Sequence, residues 1–436
     1  MYRHSFAFAT VALTLIAGCG DDASSATDSG TSRDASSATD SGTSPDDAGA
    51  PMDAARPPRD AGPPLDAAGV VACADATDPS LTDAERMLIA MAADTWTSIA
   101  GSDFSTFCHA HEVAGVAGYE GCDAVINDWS GGAWDPLDRK MLLWGGGHHG
   151  YLGNEVYAFD VATMSWELLS TPTPLSGEGD IAGDPLADGN PVSRHTYDAL
   201  SFLTSTGELF AYGGSSAPNG YSVQTTWRFS VSDRTWRQAD PGATLHSAGA
   251  GHFNMGSDYD PVTNKVWVRD AYGVHDYDVA TDRWHMWIDG GYPPFWPMWA
   301  TYGYKRGVVR AASRIFYSFG NVTDGHMDQY AWNMDTHEQV PFTTTGGDTV
   351  FGRGGAGVDY DSAVDEILAW SGGAPWALDL TTNAWTELGG ADAPAATVGN
   401  GTFGRFRYLT RYNVFILVNE PAEPVFFYKH TPGCGN

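Results

Sequence analysis

Positive charge is scarce in this sequence. Its 436 residues hold 23 Lys and Arg against 54 Asp and Glu, a formal net charge of −31. Nucleic-acid binding needs Lys and Arg to neutralise phosphates, so no nucleic acid is expected as a partner. Helical periodicity is nearly missing as well. One stretch, Leu81–Trp96 (LTDAERMLIAMAADTW), has apolar residues at helical spacing, with Thr82 or Asp83 as its cap. Cysteine is sparse, at five residues. Such a chain does not depend on a dense disulfide framework.

Glycine (52) and tryptophan (16) are plentiful. Aromatic and β-branched runs broken by Gly, Asp and Asn indicate an all-β protein. The first twenty residues, MYRHSFAFATVALTLIAGCG, have a basic start, an apolar run and small residues before Cys19. This is the pattern of a secretory signal, too short and wrongly flanked for a membrane span. Its ending, IAGC, resembles a bacterial lipobox. That resemblance implies a signal peptide over residues 1–18, cleavage before Cys19, and lipid on the Cys19 sulfur. The protein is then expected in the cell envelope, held on the outer membrane or surface through its lipid.

Residues 19–72 read as the lipid-attachment cysteine and a disordered linker. DASSATDSGTS occurs at 22–32 and again at 34–44, and nothing nearby can build a core. A flexible chain of that length spans roughly 40 Å. With Cys19 set aside, Cys73, Cys108, Cys122 and Cys434 form an even set in an exported chain, which suggests two disulfides. Three connectivities are possible. Cys108–Cys122 as a local staple and Cys73–Cys434 as a tie between the ends of the globular part are favoured.

The globular part divides into residues 73–124, holding the helix, one strand and the stapled loop, and residues 125–436, which repeat. VYAFDVATMSW (156–166), TWRFSVSDRTW (226–236), VHDYDVATDRW (274–284) and PWALDLTTNAW (375–385) share one pattern: strand, tight polar turn, strand opening on tryptophan. A second hairpin precedes each, and two weaker copies bring the total to six units of four strands. With the pairs Gly145-Gly146, Gly213-Gly214 and Gly372-Gly373, the pattern resembles the kelch-type β-propeller, as in the central domain of galactose oxidase. The resemblance implies a six-bladed kelch-like propeller and says little about activity, since one fold hosts many functions. The last unit lacks an outer strand. TWTSI (95–99) is expected to supply it and so close the ring.

In such a blade the start of the first strand, and the loop between the second and third, share one face. Counting back eighteen residues from Gly145 and its equivalents gives Asn127, His195, His252, Thr301, Arg353 and Phe403. These are expected at the start of each inner strand, pointing to the mouth of the central channel. Arg194, Asn254, Arg405 and Arg407 lie close by. The loop HHGYLGNE adds His148, His149, Tyr151, Asn154 and Glu155, and DGGYPPFWPMW adds Tyr292, Phe295, Trp296 and Trp299. Eight of the twelve histidines outside the signal fall on this face: His109, His111, His148, His149, His195, His246, His252 and His326. His275 is expected only to pack.

Long loops on a rigid scaffold are where binding usually sits. The expected function is ligand binding on this face, with a glycan as the ligand. Its binding set is His148, His149, Asn127, Arg194, His195, His252, Asn254, Arg353 and Trp296. Two alternatives share the face. A polysaccharide lyase would use His195, His252, Arg353 and Tyr151, with arginine neutralising a uronate and His or Tyr moving protons. A metal site would use His148, His195 and His252 around a divalent zinc or copper ion. Nothing else implies a cofactor. Galactose-oxidase chemistry needs a cysteine cross-linked to a tyrosine, and the cysteines here are better used as disulfides. Sialidase-type Asp boxes, P-loops and GxSxG elbows are absent. The chain is expected to act as a monomer.

Overall fold

The computed structural model describes residues 73–217, 220–241, 243, 245, 255–270, 273–289, 304–323, 326–395 and 399–433. The expected signal segment, Cys19 and the linker lie outside them, as do His246, His252, Asn254, Tyr292, Phe295, Trp296, Trp299, Thr301 and Cys434. Among the described residues no helix is long and apolar enough to cross a membrane.

The protein is all-β, as the aromatic and glycine-rich pattern indicates. Six four-stranded antiparallel sheets account for most of it. The first is built from Gly132–Asp135, Lys140–Leu143, Tyr157–Asp160 and Ser165–Leu168. The first strands of the next five are Leu200–Leu203, Gly256–Asp260, Arg306–Arg310, Gly357–Asp361 and Phe406–Leu409. These six strands contact one another in order, and the sixth contacts the first, so their contacts form a closed cycle. Neighbours come very close. A Cβ on Gly256 would lie 2.4 Å from the Arg306 carbonyl carbon, so only glycine fits there.

The hairpins close by a repeated device. Asp135, Asp160, Asp278 and Asp379 each accept two backbone N–H groups from residues two and three positions on. The fifth residue of each turn, such as Arg139, Met164, Asp282 or Asn383, takes a left-handed backbone that returns the chain to the next strand. Short aspartate-led turns therefore follow directly from repeats such as DVATM and DLTTN.

The repeated tryptophans bind each sheet to the one before it. Trp236 packs on Trp144 at 4.8 Å, Trp284 on Tyr212 at 4.4 Å, and Trp385 on Phe351 and Phe319. Each such pair contributes about 0.5–1.5 kcal/mol beyond its buried area. The expected closing strand is present. Thr95–Ser98 pairs antiparallel with Phe426–Lys429, with Trp96 opposite Tyr428. It completes the sixth sheet, and Trp96 reaches Trp370 of the fifth.

Three details differ from the sequence reading. Helix α1 is only Asp83–Ile89, since the strand claims the residues from Thr95 onward; Thr82 caps it in a reciprocal box with Glu85. A small three-stranded sheet joins Arg194–His195, Ser215–Ser216 and Tyr221–Ser222, which the repeats did not suggest. The six first strands begin three to five residues later than the counting placed them, so Asn127, His195, Arg353 and Phe403 sit in the lead-in segments.

Helices α2 (Phe104–Ala110) and α3 (Ala124–Asn127) belong to the N-terminal part. Cys108 and Cys122 form the expected staple, their Cα atoms 6.0 Å apart. Cys73 is also disulfide-bonded; its expected partner, Cys434, is outside the described residues.

Candidate functional site

The lead-in segments share an unusual backbone. Trp129, Tyr197, Gly354 and Phe403 each stand three residues before a first strand, and all four have positive φ, at 46°, 50°, 75° and 48°. The equivalent residues of the third and fourth sheets are outside the described set. Left-handed backbone suits Gly354. For the three aromatics it costs on the order of 1–3 kcal/mol each, and such strain persists only where surroundings enforce it, commonly at functional sites.

Here it accompanies a cluster of aromatic rings at the end from which the first strands start. Trp129 donates from Nε1 to the Tyr304 hydroxyl at 2.5 Å. Tyr304 stacks on Tyr197 at 6.0 Å, and Phe403 meets both edge-on. The Arg306 guanidinium lies 5.6 Å from the Phe403 ring centre. Arg405 holds the rim. Fully buried, it donates to the carbonyls of Ser130, Val418, Asn419 and Gly401, joining the sixth sheet's lead-in to the first's. Among the described residues no carboxylate offsets its charge, and burial lowers its pKa to about 9.

His195 stands beside this plug. Its ring lies between Trp129, at 4.9 Å, and His148, at 4.8 Å. The short extra sheet fixes its backbone opposite Ser215. Gly147 has φ 70°, and a Cβ there would fall 1.7 Å from the His195 ring, so the glycine is what lets the HHGY loop close over the imidazole. Two buried ring nitrogens, His195 Nε2 and His148 Nδ1, have no hydrogen-bond partner among the described residues. Burial, helped by His148, lowers the His195 pKa to about 3, and burial also lowers that of His148. Both rings are therefore neutral at physiological pH, with lone pairs or N–H groups able to meet a hydroxyl or a metal.

Asp128 adjoins Trp129. Its carboxyl is 4% exposed and lies against the HHGY loop, where a Cβ on Gly150 would be 1.8 Å from Oδ2. Burial, with a smaller contribution from the Glu120 charge, pushes its pKa up to about 7. Neither Asp128 nor Trp129 was singled out by the sequence reading, although both are within two residues of Asn127. The available signal was NDWSGG, an aromatic just before the glycines that open the first strand.

The expected site residues thus separate into groups. His148 and His195 come together. His149 turns outward with φ 64° and lies 2.9 Å from Glu178 Oε1. Asn127 ends α3 and reaches only Glu120, at 3.4 Å. Arg353 is exposed and donates to the Gly372 carbonyl at 2.6 Å. Two expectations require correction. Arg194 is 1% exposed and bound to Asp184, Thr225, Val192 and Gly213, with Trp144 under its guanidinium, so it is not free to meet a ligand. Tyr151 is fully buried; its hydroxyl and that of Tyr157 both donate to Glu155 Oε1 at 2.6 Å. Burial raises the pKa of Glu155 and of both tyrosines, which makes Tyr151 a packed member of the first sheet's edge rather than a proton carrier. Asn154 likewise braces Thr173 and Pro191. His275 is buried, as expected.

Among the described residues one other group has the make-up of a metal site: Cys108, His109, Cys122 and Asp123. Its two sulfurs are consumed by the disulfide. His109 then simply pairs with Asp123 at 3.3 Å and Glu112 at 3.6 Å. Burial opposes its charge, but the two carboxylates prevail and raise its pKa.

No protein-family model matches this chain, and no curated protein sequence matches it either.

Proposed function

We propose that this protein is an exported, lipid-tethered, six-bladed kelch-like β-propeller that binds a glycan on the loop face around its central axis. The closed cycle of first strands, and the outer strand supplied from residues 95–98, support a ring of six blades. The ligand reading is carried by one observation: the Trp129, His195 and His148 rings lie in a row beside left-handed backbone, with two ring nitrogens lacking partners among the described residues. An aromatic face covers a sugar ring, and nearby neutral imidazoles exchange hydrogen bonds with its hydroxyls. His252, Asn254, Arg353 and Trp296 remain part of the proposed binding set, and Cys19 is the proposed lipid attachment.

The test is calorimetric titration of the purified protein with polygalacturonate, alginate, and cello- and chito-oligosaccharides. Saturable binding that Trp129→Ala weakens about 30-fold, the effect of losing a central aromatic anchor, supports the reading. Absence of binding to all four overturns it. The same samples separate the alternatives. Growth of ultraviolet absorbance from unsaturated sugar products would identify a lyase. Stoichiometric zinc or copper removed by His195→Asn would identify a metal site. Labelling with a radioactive fatty acid that Cys19→Ala abolishes tests the tether.

A further inference from the structure

The opposite end of the central axis holds a second, unrelated concavity. It is a cavity of about 330 Å³ whose lining draws on all six first strands and on the turns that follow them. That volume falls at the lower end of the range for small-molecule sites, about 300–1,000 Å³. Its wall is aromatic and apolar, with Trp134, Phe202, Tyr259, Tyr360 and Tyr408. Its charged groups are Asp258, Asp359, Arg407 and Arg411, the last lying 3.7 Å from Asp78.

Those charges stand in an incomplete arrangement. Arg407 is 5% exposed. It donates from Nε to the Gly404 carbonyl and from Nη2 to Asp198 at 3.1 Å. Its Nη1 has no hydrogen-bond partner among the described residues, and Asp198 is its one ion pair among them. Asp258 accepts from the Tyr259 and Val309 N–H groups, and Asp359 from those of Tyr360 and Tyr408. Each aspartate thus bridges from its own strand to the next one, which fixes the carboxyls rigidly. Their remaining accessible surface faces the cavity. Burial raises the pKa of both against the opposing pull of the Arg407 charge, and the charge of Asp359 adds to the effect on Asp258. The three charges interact with one another, yet Arg407 makes its one ion pair among the described residues with Asp198, so a ligand that carries both signs can enter the set.

We propose that this cavity binds a small zwitterion of amino-acid size. Its carboxylate sits on Arg407 Nη1, its ammonium group between Asp258 and Asp359, and its apolar side chain against the aromatic wall. The proposal concerns the other end of the axis from the glycan site and does not rest on it.

Calorimetry of the unmodified protein tests it with three related probes. L-leucine carries both charges, isoamylamine lacks the carboxylate, and 4-methylpentanoate lacks the ammonium. Leucine is expected to bind, and each truncated probe to bind at least 10-fold more weakly. Asp359→Asn is expected to weaken leucine by a similar factor. Because Arg407→Gln breaks a buried ion pair and could unfold the protein, the isoamylamine comparison reads the role of Arg407 without any substitution. No binding of leucine or of L-phenylalanine, or isoamylamine binding as tightly as leucine, would overturn the proposal.

Discussion

The two ends of the cycle of first strands are made from different parts of the chain. At one end, segments between strands converge, with left-handed aromatics and two neighbouring histidines. At the other, the strands and their tight turns form the wall, and the polar groups are pinned by backbone N–H bonds. The first end is assembled by strain and close packing of loops. The second is fixed by the sheets themselves. Loop-built sites of this kind can change residue by residue without disturbing the scaffold, whereas strand-built groups such as Asp258 serve packing and recognition together.

Substitutions can break this contrast in a graded way. The largest effect is expected from Arg405→Met, which leaves four buried carbonyls without their donor. Loss of about 3–5 kcal/mol should be seen by urea denaturation. His195 gives the next. Its pKa is depressed to about 3 by burial, so below pH 6.5 the unfolded chain takes up a proton that the folded one does not. Stability should therefore fall by about 1.4 kcal/mol per pH unit from pH 6 down to pH 4. His195→Asn should remove that part of the slope, read from denaturation midpoints across pH.

Asp128 shows the opposite sign. Its carboxyl is raised to about 7, so it is more easily protonated in the folded state. Its contribution is full below the ordinary carboxylate range and is lost as pH rises toward 7. Asp128→Asn should then stabilise the protein by on the order of 1–3 kcal/mol at pH 8 and by little at pH 4. The smallest effect is expected from Val364→Ser, on an exposed turn of the fifth sheet. It should change stability by less than about 0.5 kcal/mol.

Much of the scaffold was legible because its signals are local. Aspartate-led turns, strands opening on tryptophan and the orphan strand TWTSI each announce themselves within a dozen residues. The sites were less legible, and for definite reasons. His195 was found because a polar residue preceding a strand is visible as such. Trp129 was missed because the left-handed residue shifts the strand start to Gly132, and counting from the glycine pair landed on Asn127. Arg194 and Tyr151 have the right chemistry, but Asp184 and Glu155 occupy them, and although those partners are ten and four residues away, no repeat signal shows that they turn onto them. The second cavity had a faint signal in the Asp-Tyr-Asp repeated at 258–260 and 359–361. Nothing local shows that both aspartates line one cavity with Arg407.

The central claim is that the strained aromatic mouth is a glycan site, and one titration addresses it most directly. Binding of polygalacturonate and the other glycans would be measured by calorimetry for the unmodified protein, Trp129→Ala, His195→Asn and Val364→Ser, with folding checked by circular dichroism. The predicted result is a glycan bound with full affinity by the unmodified protein and Val364→Ser, and about 30-fold more weakly by folded Trp129→Ala and His195→Asn. Equal affinity across all four folded proteins would contradict it.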